Sequence, residues 1–118
     1  MSIGFIIWIL FLHWIFDFVL QTNKMALNKS KSFSALLDHC LVYSLWAFCV
    51  GLSFSNAWTL YSLLLWSHFI IDGITSRITS YLWKKEKRHW FFVTIGLDQF
   101  IHYATIFWFT LKITKGIV

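Results

Sequence analysis

The chain has 118 residues, of which 58% are hydrophobic, 21% aromatic and 13% charged. This fraction of charged side chains is too small to cover the surface of a soluble domain of this length, which argues against a soluble protein. The formal net charge of +5 would fit a nucleic-acid-binding protein, but the basic residues lie in short segments beside apolar runs, where topology signals are found. We therefore expect an integral membrane protein with no nucleic-acid partner.

Four apolar runs follow one another along the chain and predict an all-α membrane protein, a bundle of four transmembrane helices in a single domain over residues 1–118. At a rise of about 1.5 Å per residue, each run is long enough to cross or nearly cross a hydrocarbon core of about 30 Å. The first run lacks a preceding basic region and a small-residue cleavage site, so we expect it to be retained. The predicted helices are about 3–20, 33–54, 58–78 and 91–113.

The three predicted connections differ in charge. The first and third are basic, whereas the second, about 55–57, carries no charge. Since cytoplasmic loops are enriched in lysine and arginine, this pattern predicts cytoplasmic basic loops and both termini outside. We also expect the basic loops to contact anionic lipids of the bilayer. Their residues are Lys24, Lys29 and Lys31 in the first loop and Lys84, Lys85, Lys87 and Arg88 in the third.

Four of the five acidic residues lie inside the apolar runs, each close to a histidine on the same predicted helix. The pairs are His13 with Asp17, Asp38 with His39, His68 with Asp72, and Asp98 with His102. Three pairs have i,i+4 spacing, which places both side chains on one helix face. Counted from the basic loops, all four pairs lie at one level of the bundle, in its cytoplasmic half.

The second predicted helix is the exception, because Asp38 and His39 are adjacent and point about 100° apart. Only one of them can face the centre of the bundle, and we expect it to be His39. Unpaired charges in a membrane are costly, so the other aspartates should face the same interior.

Histidine and carboxylate in an enclosed setting are ligands for zinc, manganese or iron, and this set could hold one or two divalent ions. One aspartate, Asp17 or Asp98, is the candidate general base. Gln21 and Gln99 are expected at the rim of the site. The predicted metal ligands are His13, Asp17, His39, His68, Asp72, Asp98 and His102.

The runs HWIFDFVLQTNKMALNKSKS, LLDHCLVYSL, HFIIDG and LDQFIH resemble a family of small bacterial and phage membrane proteins, catalogued as domain of unknown function 3307. The resemblance covers nearly the whole chain and implies a multi-pass protein of the bacterial inner membrane. Asp38 does not belong to the family's pattern. The layout is more distantly similar to predicted membrane-bound metal-dependent hydrolases, which implies hydrolysis. The matching polar positions are His13, Asp17, Gln21, His39, His68, Asp72, Asp98 and His102.

Three functions remain open at this point. The first is a metal-dependent hydrolase acting at the cytoplasmic face on a lipid-linked or phosphorylated substrate. The second is a transporter or channel for divalent cations or protons, which at this size would have to form a homo-oligomer. The third is a structural or partner-binding factor of a bacterium or phage, in which the polar layer only joins helices. A serine hydrolase is not expected, since the chain lacks a G-x-S-x-G motif.

Overall fold

A computed structural model describes residues 1–116 of the protein and shows an assembly of helices. The prediction of an all-helical fold is confirmed. The helices are α1 (Ile3–Trp14), α2 (Asn23–Asn28), α3 (Phe33–Ser44), α4 (Phe54–Lys84) and α5 (Arg88–Thr114). A π-helical turn, Ile15–Val19, extends α1, and a 3₁₀ turn, Leu45–Cys49, extends α3.

Hydroxyl side chains set the starts of the first four helices. Each of these four residues accepts a hydrogen bond from the backbone N–H three residues further on. Such caps satisfy a backbone donor that the helix itself cannot, and each contributes about 1 kcal/mol. The capping residues are Ser2, Thr22, Ser32 and Ser53.

The first predicted helix changes its geometry at the level of the polar residues. Within Ile15–Val19 the backbone forms a π turn, and the Leu20 N–H donates to the Ile15 carbonyl, five residues back, at 2.9 Å. A π turn widens the helix and changes the angle between side chains before and after it. Asp17 lies within this turn, so its direction is not the one that an ideal α-helix would give.

The long helices pack antiparallel, each beside the next, and α1 also meets α5. Hydrogen bonds join α1 to α3 through His13 and Tyr43, α4 to α5 through Thr75 and Asp98, and α1 to α5 through His13 and Gln99. This up-down-up-down order is typical of helix bundles with short connections. It places α2 and the α4–α5 turn at one end of the bundle, and the 3₁₀ turn with the N-terminus at the other.

An apolar core fills the half of the bundle nearest the N-terminus. It contains residues from α1, α3, the 3₁₀ turn, α4 and α5, so all four long segments contribute. Burial of these side chains is the main favourable contribution to folding in this half. The core residues are Ile9, Leu12, Tyr43, Trp46, Ala47, Val50, Leu60, Leu64, Ile106 and Ile113.

The prediction that these helices cross a bilayer is wrong. Among residues 1–116, no helix is both long enough and apolar enough to span a membrane. The α-helical parts of α1 and α3 have 12 residues each, or about 18 Å, against a hydrocarbon core of about 30 Å. α4 and α5 are longer, but serine, threonine, histidine and charged side chains interrupt their apolar character. The predicted multi-pass location in the bacterial inner membrane is therefore wrong. The predicted outward termini and cytoplasmic loops depend on that location and are withdrawn with it.

Large apolar side chains are also exposed on the outside of the bundle. Trp14, Trp66, Phe100 and Trp108 each have about half or more of their surface exposed. They lie on the outward faces of helices whose inward faces form the core and the polar cluster. The predicted anionic-lipid contacts and self-association are not tested by this arrangement and stay predictions.

Candidate metal centre

Six acidic and histidine side chains from the four long segments meet in the other half of the bundle. They form two groups, in each of which the candidate ligand atoms lie within 4.8 Å of one another. Asp72 belongs to both groups. The first contains Asp17, His39, His68 and Asp72, and the second contains Asp72, Asp98 and His102. These buried histidine and aspartate groups could hold a metal ion.

The first group has the spacing of a tetrahedral ligand set. His39 Nε2 lies 3.1 Å from Asp17 Oδ1 and 3.3 Å from Asp72 Oδ2. His68 Nε2 lies 3.4 Å from each of the same two oxygens, and 2.9 Å from His39 Nε2. Ligands about 2.0–2.1 Å from a tetrahedral zinc ion are about 3.3–3.4 Å from one another. Three of these separations, at 3.3–3.4 Å, match those of a tetrahedral site, and the other two, at 3.1 Å and 2.9 Å, are shorter.

Ring stacking helps to orient His68, whose Nε2 also lies at hydrogen-bond distance, 2.9 Å, from His39 Nε2. Its ring lies between those of Tyr43, with centroids 3.7 Å apart, and His102, at 4.3 Å. The Nδ1 atoms of His39 and His68 are buried and have no hydrogen-bond partner among the described residues. The packing therefore holds both Nε2 atoms toward the carboxylates.

The second group shares the Asp72 carboxylate with the first. His102 Nε2 lies 3.1 Å from Asp72 Oδ1 and 3.4 Å from Asp98 Oδ1. Asp72 therefore presents Oδ2 to the first group and Oδ1 to the second. The Thr75 hydroxyl and the Gln99 amide donate to the two oxygens of Asp98, which fixes the orientation of that carboxylate.

Burial and hydrogen bonding act in opposite directions on the charges of this cluster. Burial would raise the pKa of Asp17 and Asp72, but the neighbouring histidines outweigh it, and both pKa values lie below their usual range. Burial would lower the pKa of His102, but its hydrogen bonds to Asp72 and Asp98 raise that pKa to about 9. The pKa of His39 is raised for the same reason, by Asp17 and Asp72 against the effect of burial. The cluster thus holds ionised carboxylates among histidines.

His13, a predicted ligand, is buried beside the cluster but belongs to neither ligand group. Its Nε2–H donates to Gln99 Oε1 at 3.0 Å, and its Nδ1 accepts from the Tyr43 hydroxyl at 3.2 Å. Burial lowers the pKa of His13, in spite of Asp17 nearby. This neutral ring therefore supports Gln99, which in turn supports Asp98.

The expectation for the adjacent pair on α3 matches the positions of the two side chains. His39 is fully buried within the first ligand group, whereas Asp38 is exposed on the outside of α3. Adjacent residues on an α-helix point about 100° apart, so only one of the two could enter the cluster.

Lys29 belongs to the site, although its place in a basic loop had predicted only a topology signal and a contact with lipid. It lies between α2 and α3, and its Nζ donates to Asp72 Oδ2 at 2.9 Å. Burial would lower the pKa of Lys29, but Asp72 outweighs this effect and raises it. Nothing in the sequence separates Lys29 from its neighbours Lys24 and Lys31, since loop residues lack the periodicity that marks an inward face. The other predicted basic residues, Lys24, Lys31, Lys84, Lys85, Lys87 and Arg88, are exposed.

A cavity of about 200 Å³ adjoins both ligand groups. Its wall includes the carboxylates of Asp17, Asp72 and Asp98 together with Lys29. The two predicted rim residues, Gln21 and Gln99, also line it, and Gln21 Oε1 is buried without a hydrogen-bond partner among residues 1–116. The hydroxyl residues Thr75, Ser76 and Thr79 complete its polar lining.

Comparison with known proteins adds a family but no characterised relative. No curated protein and no solved structure matches the chain, so the more distant likeness to membrane-bound metal-dependent hydrolases stays a prediction. The model of one family, described as protein of unknown function (DUF3307), matches residues 5–117. The match includes Lys29 and every residue of both ligand groups. The chain therefore belongs to the DUF3307 family.

Proposed function

We propose that the protein is a metal-dependent hydrolase and that its two ligand groups, which share Asp72, would hold two divalent ions. The observation that carries this proposal is the spacing of His39, His68, Asp17 and Asp72 in the first group, which is close to that of a tetrahedral ligand set. A mixed set of imidazole nitrogens and carboxylate oxygens suits zinc, manganese or iron.

The two groups have different roles in this proposal. The first offers four protein ligands, which is typical of a closed, structural ion. The second offers three, and catalytic sites keep a coordination position open for water or substrate. Two of its residues, Asp72 and Asp98, also line the cavity, whereas His102 lies behind them. We therefore assign hydrolysis to the second ligand group, on the side that faces the cavity.

The ions would lower the pKa of a water molecule and polarise the bond to be cleaved. Asp98 is the candidate general base, because its side chain is 14% exposed, against 5% for Asp17, and it faces the cavity. The water oxygen bonds to the electrophilic atom of the substrate as its proton passes to Asp98. The bond to the leaving group then breaks, and Asp98 returns the proton to that group.

Hydrolysis is favoured over transport by the shape of the bundle. The cavity reaches the ligand groups from one side, and beyond them lie the fully buried Tyr43, Trp46 and Leu64 of the apolar core. A purely structural role is less favoured, because three aspartates in one buried cluster repel one another and hydrophobic residues would join the helices at a lower desolvation cost.

The metal content of the purified full-length protein tests the proposal. We expect about two equivalents of zinc, manganese or iron per chain in the wild type and at most one in His68→Gln, since loss of His68 opens the first group. His89→Gln is the matched control, because it makes the same change at an exposed histidine outside both groups. Each sample should be measured after extensive dialysis, so that weakly associated metal is removed.

A wild-type protein without stoichiometric metal would overturn the proposal, and so would equal metal content in His68→Gln and His89→Gln. Hydrolysis itself is tested by turnover of chromogenic ester substrates by the metal-loaded protein. Loss of turnover is expected in Asp98→Asn, since the amide cannot accept the proton from water. Its metal content should fall as well, because Asp98 is also one of the three ligands of the second group.

A further inference from the structure

We infer that the cavity beside the ligand groups is a subsite for the phosphate group of a phosphomonoester substrate, with Lys29 as its cation and the Ser76 hydroxyl as a hydrogen-bond donor. This inference rests on the proposed function, because it names the substrate class of the same site. It is carried by the position of Lys29, the unpartnered hydroxyl of Ser76, the charge of the cluster and the groove that leads to it.

An ion bound in the first ligand group would deprive Lys29 of its present partner, Asp72. Its ammonium group is 2.9 Å from Asp72 Oδ2, the same oxygen that belongs to the first ligand group. A divalent ion on that oxygen would repel the ammonium group and take over its carboxylate. Because Lys29 also lines the cavity, its side chain can turn from Asp72 to an anion there without leaving the site.

Ser76 supplies a buried donor that the protein itself does not use. The residue is 8% exposed, and its Oγ has no hydrogen-bond partner among the described residues. It lies four residues after Asp72 on α4, so the two side chains share one helix face, and both line the cavity. Buried hydroxyls in folded proteins are nearly always hydrogen-bonded, so an unpaired one facing a cavity points to a ligand.

The charge of the cluster favours a doubly charged anion. Asp17, Asp72 and Asp98 carry three negative charges and Lys29 one positive charge, which leaves two negative charges when the histidines are neutral. Two divalent ions bring four positive charges and therefore leave an excess of two. A phosphomonoester dianion balances this excess, whereas a carboxylate or a phosphodiester brings a single negative charge.

A basic groove leads from the outside of the bundle to this cavity. The groove has a volume of about 460 Å³ and shares Lys29, Ser76 and Thr79 with the cavity. Its outer wall adds Lys31 and Lys84. Cations along such a groove raise the local concentration of anions and increase their rate of association.

Isothermal titration of the metal-loaded full-length protein with inorganic phosphate and with glycerol 3-phosphate tests the inference. We expect both to bind the wild type, and Lys29→Gln to weaken both by roughly tenfold or more, as expected for a hydrogen bond to a charged group. Lys24→Gln is the matched control, because it removes the same charge from an exposed lysine that lines neither the cavity nor the groove. Ser76→Ala, a smaller change, should weaken binding several-fold.

The metal content of every sample separates the two proposals. If the wild type holds no metal, the proposed function fails. If the metal is present but Lys29→Gln and Ser76→Ala bind as tightly as Lys24→Gln, only the phosphate subsite is overturned. Binding of inorganic phosphate without binding of glycerol 3-phosphate would overturn the assignment of a phosphomonoester substrate, since the cavity would then admit the free ion alone.

Discussion

The two halves of the bundle are built from the same four helical segments but are stabilised in different ways. Toward the N-terminus, Trp46, Leu60 and Ile106 pack in a dry apolar core. Toward α2, the same segments bring carboxylates and imidazoles together, and Lys29 adds an ammonium group from the connection between α2 and α3. The apolar half gains free energy from burial, whereas the polar half must offset the cost of buried charge with ion pairs and hydrogen bonds.

This difference indicates that one half of the bundle serves mainly stability and the other half mainly binding. We expect the apolar half to supply most of the stability of the bundle, since the buried charges of the polar half are costly for stability. Changes in the first half should therefore affect folding, and changes in the second should affect metal binding. Four substitutions test this separation.

The largest effect is expected from Trp46→Ala in the apolar half. Trp46 is fully buried in the core, and replacing a buried tryptophan by alanine costs about 3–5 kcal/mol through lost burial and the cavity left behind. Chemical denaturation should show this loss in the free energy of unfolding. The fraction that stays folded should keep the wild-type metal content, and a variant that folds normally but loses its metal would break the comparison.

In the polar half, Asp72→Asn should lower metal affinity by more than about a hundredfold. Asp72 offers an oxygen to each ligand group, and removal of a ligand exceeds the roughly 10–100-fold effect of residues that only support one. Competition with a chelator measures the affinity. Asp38→Asn, the same change at an exposed neighbour of the site, should leave the affinity unchanged; equal losses in both variants would contradict the assignment.

The stability that His102 contributes to the metal-free protein should depend on pH. Its pKa is about 9 in the folded chain and 6.5 when unperturbed, so the protonated ring stabilises the fold. This contribution, about 3 kcal/mol, is fully present below pH 6.5 and is lost as the pH rises through 9. The difference in unfolding free energy between wild type and His102→Gln, measured in chelator, should shrink over this range. A difference that stays constant from pH 5.5 to 10 would show that His102 is not charged in the fold.

The smallest effect is expected from Tyr43→Phe, where the two halves meet. Tyr43 belongs to the apolar core, while its hydroxyl donates to His13, and burial raises its pKa so that the donor stays protonated. Phenylalanine keeps the stacking on His68 but leaves a buried acceptor unpaired, at a cost of about 1–2 kcal/mol. Thermal unfolding should detect this loss, while metal content stays at the wild-type level because His13 lies outside both ligand groups.

The sequence predicted most of the cluster because helical periodicity made it visible. The i,i+4 pairs on α4 and α5, His68 with Asp72 and Asp98 with His102, lie together as one face of a helix requires. The pair His13 and Asp17 has the same spacing and lies 3.6 Å apart, yet only Asp17 joins a ligand group. His13 is hydrogen-bonded to Gln99 and Tyr43 instead. Side-chain partners on other helices decided this difference, and residue spacing does not reveal them.

The apolar composition led to the wrong prediction of membrane spans. Runs of hydrophobic residues were counted as continuous helices, but α1 and α3 each change to another helical geometry after 12 residues. Polar residues within α4 and α5 add to this effect. Composition reports how much apolar surface a chain has, but not whether one unbroken helix carries it.

By itself, the sequence determined the all-helical fold and the histidines and aspartates that face inward. Those features depend on residues a few positions apart on one helix, where spacing suffices. The tertiary structure alone decided that Asp72 is shared by two ligand groups, that Lys29 reaches it from a loop, and that Ser76 faces the cavity unpaired. These features depend on how the helices and the loop before α3 meet in space, which no local pattern specifies.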